Sequence, residues 1–133
     1  MPEYQPLARL PHGLDAFTRA YLECAEWAGL DEEAEEALEL SVSPKWDLDT
    51  IKRVTEECAQ FQADCADALE TAYETGYTPE QAGHDFHLTR NGHGAGFWDR
   101  GLGDVGARLT SAAHAWGSTN VTYDGTTELL REE

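Results

Sequence analysis

The chain has 133 residues, 41% of them hydrophobic, with four tryptophans and 26 acidic residues against nine basic ones. That length predicts a single domain over residues 1–133, with enough apolar side chains for a core, which excludes wholesale disorder. The net charge of −17 repels nucleic acid and anionic membranes and attracts basic surfaces, and no apolar run approaches the ~20 residues of a membrane-spanning helix.

Residues 1–13, with Pro2, Pro6 and Pro11, read as an extended arm. They have neither a basic start nor an apolar stretch, so no signal peptide is expected and a cytoplasmic location is. Leu14, Phe17, Tyr21, Cys24 and Ala28 recur at spacings of three and four, which predicts an amphipathic helix over about 14–29 closed by Gly29. Six acids between Asp31 and Glu39 make 31–45 an acidic connector, a short exposed helix or a flexible linker, ended by Pro44. Asp47 is a fitting N-cap for a helix over about 48–75. On that helix Ile51, Val54, Cys58, Phe61, Cys65, Ala68 and Ala72 form a seam, and Asp49, Glu56, Glu57, Asp64, Asp67, Glu70 and Glu74 lie off it. The two seams predict that helices 14–29 and 48–75 pack together, antiparallel or at a shallow crossing angle. Cys24, Cys58 and Cys65 fall on these apolar faces and are expected to be reduced and buried. Cys58 and Cys65 lie about 10 Å apart along one helix, too far for a disulfide.

Thr78, Pro79 and Gln81 spell an N-cap, a first-turn proline and a capping box, with Gly83 expected to end the turn they start. The next residues, "HDFHLTR", alternate as a strand would, with Phe86 and Leu88 on one side and Asp85 and His87 on the other. Asn91-Gly92 is a hairpin signal. Phe97 and Trp98 are expected in the core, and Asp99 is expected to cap a third helix over about 102–116, whose face is Leu102, Val105, Leu109, Ala112 and Trp116. "NVTYDGTTELL" reads as a hairpin turning at Asp124-Gly125. The fold class is therefore α+β: two packed amphipathic helices and a third against a small antiparallel sheet. Charge divides unevenly along it, with 19 acids and five bases in residues 1–80 and seven and four in residues 81–133.

"HDFHLTRNGHGAGFWDRG", residues 84–101, holds three of the five histidines and four of the twelve glycines. Glycines can let backbone N–H groups converge on an anion, and an arginine fork matches phosphate or carboxylate. A ligand loop would then comprise Arg90, Asn91, Gly92, His93, Gly94, Gly96 and Arg100. For catalysis the candidates are His84, Asp85, His93 and Asp99, a histidine serving as general base and an aspartate orienting it. No serine or cysteine lies in the stretch, so water would be the nucleophile. A glycine-rich turn with no ligand fits the same residues. "GLGDVG" at 101–106 matches a dinucleotide fingerprint only formally, since no apolar strand precedes it. His84, His87, His93, Asp85, Asp99 and His114 lack any standard ligand spacing, and in a strand His84 and His87 would face opposite ways, so no metal or cofactor is expected.

"AGHDFHLTRNGHGAGFWDRGLG", together with "LTSAAHAWG" and "FTRAYLECAEWA", resembles a group of small phage-encoded proteins of unassigned function. The likeness spans most of the chain outside 31–45 and the C-terminal tail, and His87 stands where those proteins usually carry tryptophan. It implies a phage origin and a setting in the host cell, and no particular chemistry. The expectation is a non-enzymatic accessory protein, like a DNA mimic, whose acids at 49, 56, 57, 64, 67, 70 and 74 engage a basic host-protein surface. The alternative is a small-ligand or phosphate-binding protein, or a hydrolase, centred on 84–101.

Overall fold

The computed structural model describes residues 10, 13–30, 45–124, 127 and 129–133. The arm at 1–13, the connector at 31–45 and the Asp124-Gly125 turn therefore fall largely outside the described residues. Helix α1 is Ala16–Ala28, started by Asp15, whose carboxylate accepts from Thr18 N at 2.7 Å. Strand β1 is Lys45–Trp46, and Asp47 caps helix α2, Leu48–Asp64. Helix α3, Ala66–Glu74, follows. The expected single helix over 48–75 is thus broken at Cys65, whose ψ of 20° lies off the helical value. The seam survives the break, because Cys58, Phe61, Cys65, Ala68 and Ala72 are all buried.

The largest departure from expectation is helix α4, Pro79–Arg90. Its start is the expected capping box, with Thr78 and Gln81 each receiving the other's backbone N–H. The chain does not stop at Gly83, and "HDFHLTR" is helix rather than strand. Gly83 instead marks a close helix crossing: a Cβ placed there would lie 2.0 Å from the Phe17 carbonyl oxygen of α1. Consequently α1 packs chiefly against α4 and only secondarily against α2. The period-two pattern of 84–90 misleads because this helix is buried on nearly every side, from Asp85 through Arg90.

Beyond α4, Phe97–Asp99 form a 3-10 turn and helix α5 runs Asp104–His114. Asp99 does not cap it; the N-cap is Gly103, without a side-chain bond. Phe97 is fully buried, whereas Trp98 is 54% exposed, contrary to expectation. Strands β2, Val121–Asp124, and β3, Leu129–Glu132, form the expected antiparallel pair, but β1 joins β3 in parallel. The order is β1-β3-β2, so the sheet is mixed rather than antiparallel. The α+β class holds. An aromatic stack fills the centre, with Phe61 4.1 Å from Phe86 and 5.8 Å from Phe97 between ring centroids. Among the described residues no helix is long and apolar enough to cross a membrane.

Candidate functional site

Because 84–90 is helical, its polar side chains leave α4 in different directions and enter two separate environments, and a third lies on α2 and α3. The first is a buried ion network at the C-terminal end of α4. Arg90 donates through Nη1 to Glu57 at 2.8 Å and to the Tyr21 hydroxyl at 3.2 Å, through Nε to the Gly117 carbonyl at 2.9 Å, and through Nη2 to the Trp116 carbonyl at 3.1 Å. Its guanidinium also lies over Phe86 and Trp116. The Tyr21 hydroxyl in turn faces the carboxylate of Glu132 at 2.9 and 3.0 Å. Burial pushes the Glu132 carboxyl up, against the pull of the Tyr21 hydrogen bond, Arg90 and Arg53. Every side-chain nitrogen of Arg90 is thereby engaged, and the residue ties α4 to α2, α1 and the segment after α5.

His87 adjoins this network. Its Nδ1 is 3.5 Å from Cys24 Sγ, and its Nε2, which has no hydrogen-bond partner, is 3.8 Å from Glu132 Oε2. Thiol, imidazole and carboxylate in line suggest a nucleophile and its base, but nucleophilic attack needs a thiolate and access. Neither exists here. Burial, aided by Asp85 and Glu132, pushes the Cys24 thiol far up, and burial pushes His87 down to about 3, so the proton stays on sulfur. Cys24 and His87 are at most 1% exposed. This is a neutral core contact. Cys58 and Cys65 are likewise free and buried.

The second environment is a cleft of about 320 Å³ between α1 and the first half of α4, lined by Ala20, Glu23, Glu80, Gln81, His84, Asp85 and Arg100. Asp85 is completely buried and sits at its base. It accepts from Arg100 Nη2 at 2.7 Å and Nε at 3.0 Å, and from the Tyr77 hydroxyl. Arg100 thus spends its fork on a carboxylate of its own chain. Burial lowers the His84 pKa, against the pull of Asp85. The His84 ring stacks on Trp27 at 5.5 Å between centroids, and that indole is 56% exposed. Glu23 and Glu80 face the same space from the two helices.

The third is the acidic surface. Asp49, Glu56, Asp64, Asp67, Glu70 and Glu74 are exposed, whereas Glu57 is turned inward to Arg90 and to Arg53. From residue 54 to residue 89 there is no lysine or arginine at all. Asp67, Glu70 and Glu74 share one face of α3 at spacings of three and four, and Asp64 precedes them at the end of α2.

The candidate residues of 84–101 are therefore dispersed. His84, Asp85 and Arg100 meet in the cleft. Arg90 is in the core network, and His93 is half-buried, its ring stacked on His87 at 6.0 Å. Asp99 is exposed on the 3-10 turn. Asn91 caps α4 and holds the 117–120 segment, its Oδ1 accepting from Thr119 N at 2.6 Å and its Nδ2 donating to the His87 carbonyl at 3.0 Å. Gly92 and Gly94 are exposed, with open space where a Cβ would lie, while Gly96 is buried where a Cβ would lie 2.2 Å from Thr89 Oγ1. Among the described residues no group of three or more His, Cys, Asp or Glu side chains is placed to hold a metal ion. His84 and His87 separate because one faces the cleft and the other the core, not because of strand alternation.

Sequence reasoning missed Glu23, Glu80 and Gln81 in the cleft, Trp27 beside it, and Tyr21, Cys24 and Glu132 around His87. The capping box was the available signal: extending its helix past Gly83 sets Glu80 above His84 and Gln81 above Asp85, each pair one turn apart. The chain matches no protein-family model, no curated protein and no solved structure.

Proposed function

We propose that this is a phage-encoded, non-enzymatic binding protein that acts in the host cytoplasm, where its acidic helical face engages a basic, nucleic-acid-holding surface of a host protein as a DNA mimic does. The observation that carries the reading is the exposed row Asp64, Asp67, Glu70 and Glu74, four carboxylates spread over about 15 Å at a rise of ~1.5 Å per residue. No lysine or arginine lies between residues 54 and 89; Arg108 of α5 reaches the Asp64 carbonyl at 3.2 Å, and the field of the other three carboxylates favours a partner of opposite sign. The likeness of the 82–103 motif to small phage proteins supports the setting. A phosphate-binding or hydrolytic loop at 84–101 is supported less well, because Arg90 and Arg100 already face Glu57 and Asp85.

The test is capture of partners from bacterial lysate by the immobilised full chain, followed by challenge with duplex DNA. Capture is expected to fall steeply between dilute salt and about 0.15 M, where the screening length is ~8 Å. It is also expected to be reversed by duplex DNA and lost in the triple variant Asp67→Lys/Glu70→Lys/Glu74→Lys. Capture that ignores salt, DNA and the triple variant alike sinks the reading.

A further inference from the structure

We propose that the cleft between α1 and α4 receives one organic cation, the ammonium or guanidinium of a lysine or arginine side chain presented by a basic partner. The inference rests on the binding function proposed above and names the chemical feature this part of the surface recognises.

Size comes first. About 320 Å³ is at the low end of the ~300–1,000 Å³ typical of small-molecule sites; it suits one long side chain rather than a nucleotide. Charge comes second. Three carboxylates line the space, Glu23, Glu80 and Asp85, against one guanidinium, Arg100. Arg100 is bound through Nε and Nη2 to Asp85, so the charges of that pair cancel. Glu23 and Glu80 remain, one on each helix wall. Arg19, one turn before Glu23, lowers the Glu23 pKa, yet burial outweighs it and the net displacement is upward.

Shape and polarity come third. Ala20 and Glu23 line the cleft from α1, and Trp27, one turn on along the same face, presents an exposed indole beside it. Its ring stacks on His84, whose depressed pKa keeps the imidazole uncharged at neutral pH. An aromatic surface beside carboxylates suits a cation on an alkyl stem: the stem covers the rings and the head reaches the carboxylates. Gln81 cannot compete for the head, since its side-chain oxygen already accepts from Thr78 N at 2.9 Å.

The experiment is a titration of the isotopically labelled full chain, followed by amide and indole NMR shifts. The probes are N-acetyl-arginine methylamide and N-acetyl-lysine methylamide, with N-acetyl-glutamate methylamide, inorganic phosphate and Mg²⁺ as comparison arms. Both cations are expected to produce saturable shifts at the Trp27 indole and at Glu23, Glu80 and His84. The double variant Glu23→Gln/Glu80→Gln, shown folded by circular dichroism, is expected to weaken them about tenfold or more, equivalent to ~1.4 kcal/mol. Trp27→Ala is expected to weaken them by a smaller factor. No saturable shift with either cation, or equal shifts with phosphate, glutamate or Mg²⁺, overturns the proposal. The α3 triple variant separates the two readings. Cation shifts that persist in it while lysate capture is lost support both. Absent cation shifts in a wild-type chain that still shows salt-sensitive, α3-dependent capture overturn the cleft alone. Intact cation shifts in a chain that captures nothing overturn the broader binding role and leave a cation site without a protein partner.

Discussion

Arg90 and Arg100 stand ten residues apart in one glycine-rich motif, and each pairs with a carboxylate, but they do opposite things. Arg90 is itself buried, and its partner Glu57 sits at the edge of the core. Arg100 is partly exposed, and its partner Asp85 is the buried member. The first pair welds α4 to α1, α2 and the segment after α5. The second closes the base of a cleft. The difference follows from α4 being a helix: Asp85 and Arg90 project about 140° apart at ~100° per residue, so Arg90 and the carboxylate that Arg100 meets lie on different sides of the element. Clustering in a motif is thus no guide to convergence in space.

This division of labour depends on α4 lying hard against α1, and Gly83 is the contact to break. Gly83→Ala places a methyl 2.0 Å from a backbone oxygen, which no rotamer change can relieve. We expect a loss at or above the ~3 kcal/mol upper end of ordinary overpacking, enough to depopulate the fold of a marginally stable domain. Gly94→Ala, with open space around it, is the control and should change stability by less than about 0.5 kcal/mol. Urea midpoints for the two variants check this directly. Equal midpoints would mean that the helices have room for a methyl between them.

Replacing the two arginines tests the contrast at its ends. Arg90→Met removes a buried charge that satisfies Glu57, Tyr21 and two carbonyls, and is expected to cost about 3–5 kcal/mol. Arg100→Met leaves Asp85 bonded to the Tyr77 hydroxyl and opens it to water from the cleft. The Arg100 side chain is 34% exposed, so screening discounts the pair and the expected cost is about 1–2 kcal/mol. Chemical denaturation at matched m-values gives the ranking. A larger loss for Arg100→Met than for Arg90→Met would invert the assignment of weld and cleft base.

How far residues announced this arrangement depends on which physics each segment obeys. Helix α1, the start of α2, the capping box at Thr78 and the pairing of β2 with β3 were legible, because caps and amphipathic periods are local. The second half of α4 was not. Burial on almost all sides erased its helical period, leaving a short alternation that mimics a strand. Gly83 was read as a stop because a close helix crossing leaves no mark in a single chain. The break at Cys65 was also hidden, since the seam runs through it unchanged. The acidic surface could be read from residue types alone, apart from Glu57, whose inward turn depends on an arginine 33 residues away. The cleft needed α1 and α4 to be paired correctly, and the expected pairing of α1 with 48–75 placed its walls on different neighbours.

Between the two regions lies His87, and its proton is the finest probe of how dry the weld is. In an unfolded chain a histidine takes up its proton as pH falls through about 6.5; here burial delays that uptake to about 3. Between those values the unfolded state binds more protons, so stability is intact above pH ~6.5 and declines as pH falls, by up to ~1.4 kcal/mol per unit from this residue. Glu132 acts in the opposite sense. Its raised pKa makes the folded state take up a proton first as pH falls toward 4.5, which offsets part of the decline in the upper range. His87→Phe keeps the ring contact with Tyr21 and removes the proton site. The expected result is a shallower loss of stability between pH 6.5 and 3 than in the unmodified chain, read from urea midpoints at each pH. The corresponding change at the cleft, His84→Phe, should alter that slope less, since His84 is only half-buried. Parallel pH profiles for His87→Phe and the unmodified chain would mean that water already reaches the imidazole, and that the core end of α4 is no drier than the cleft end.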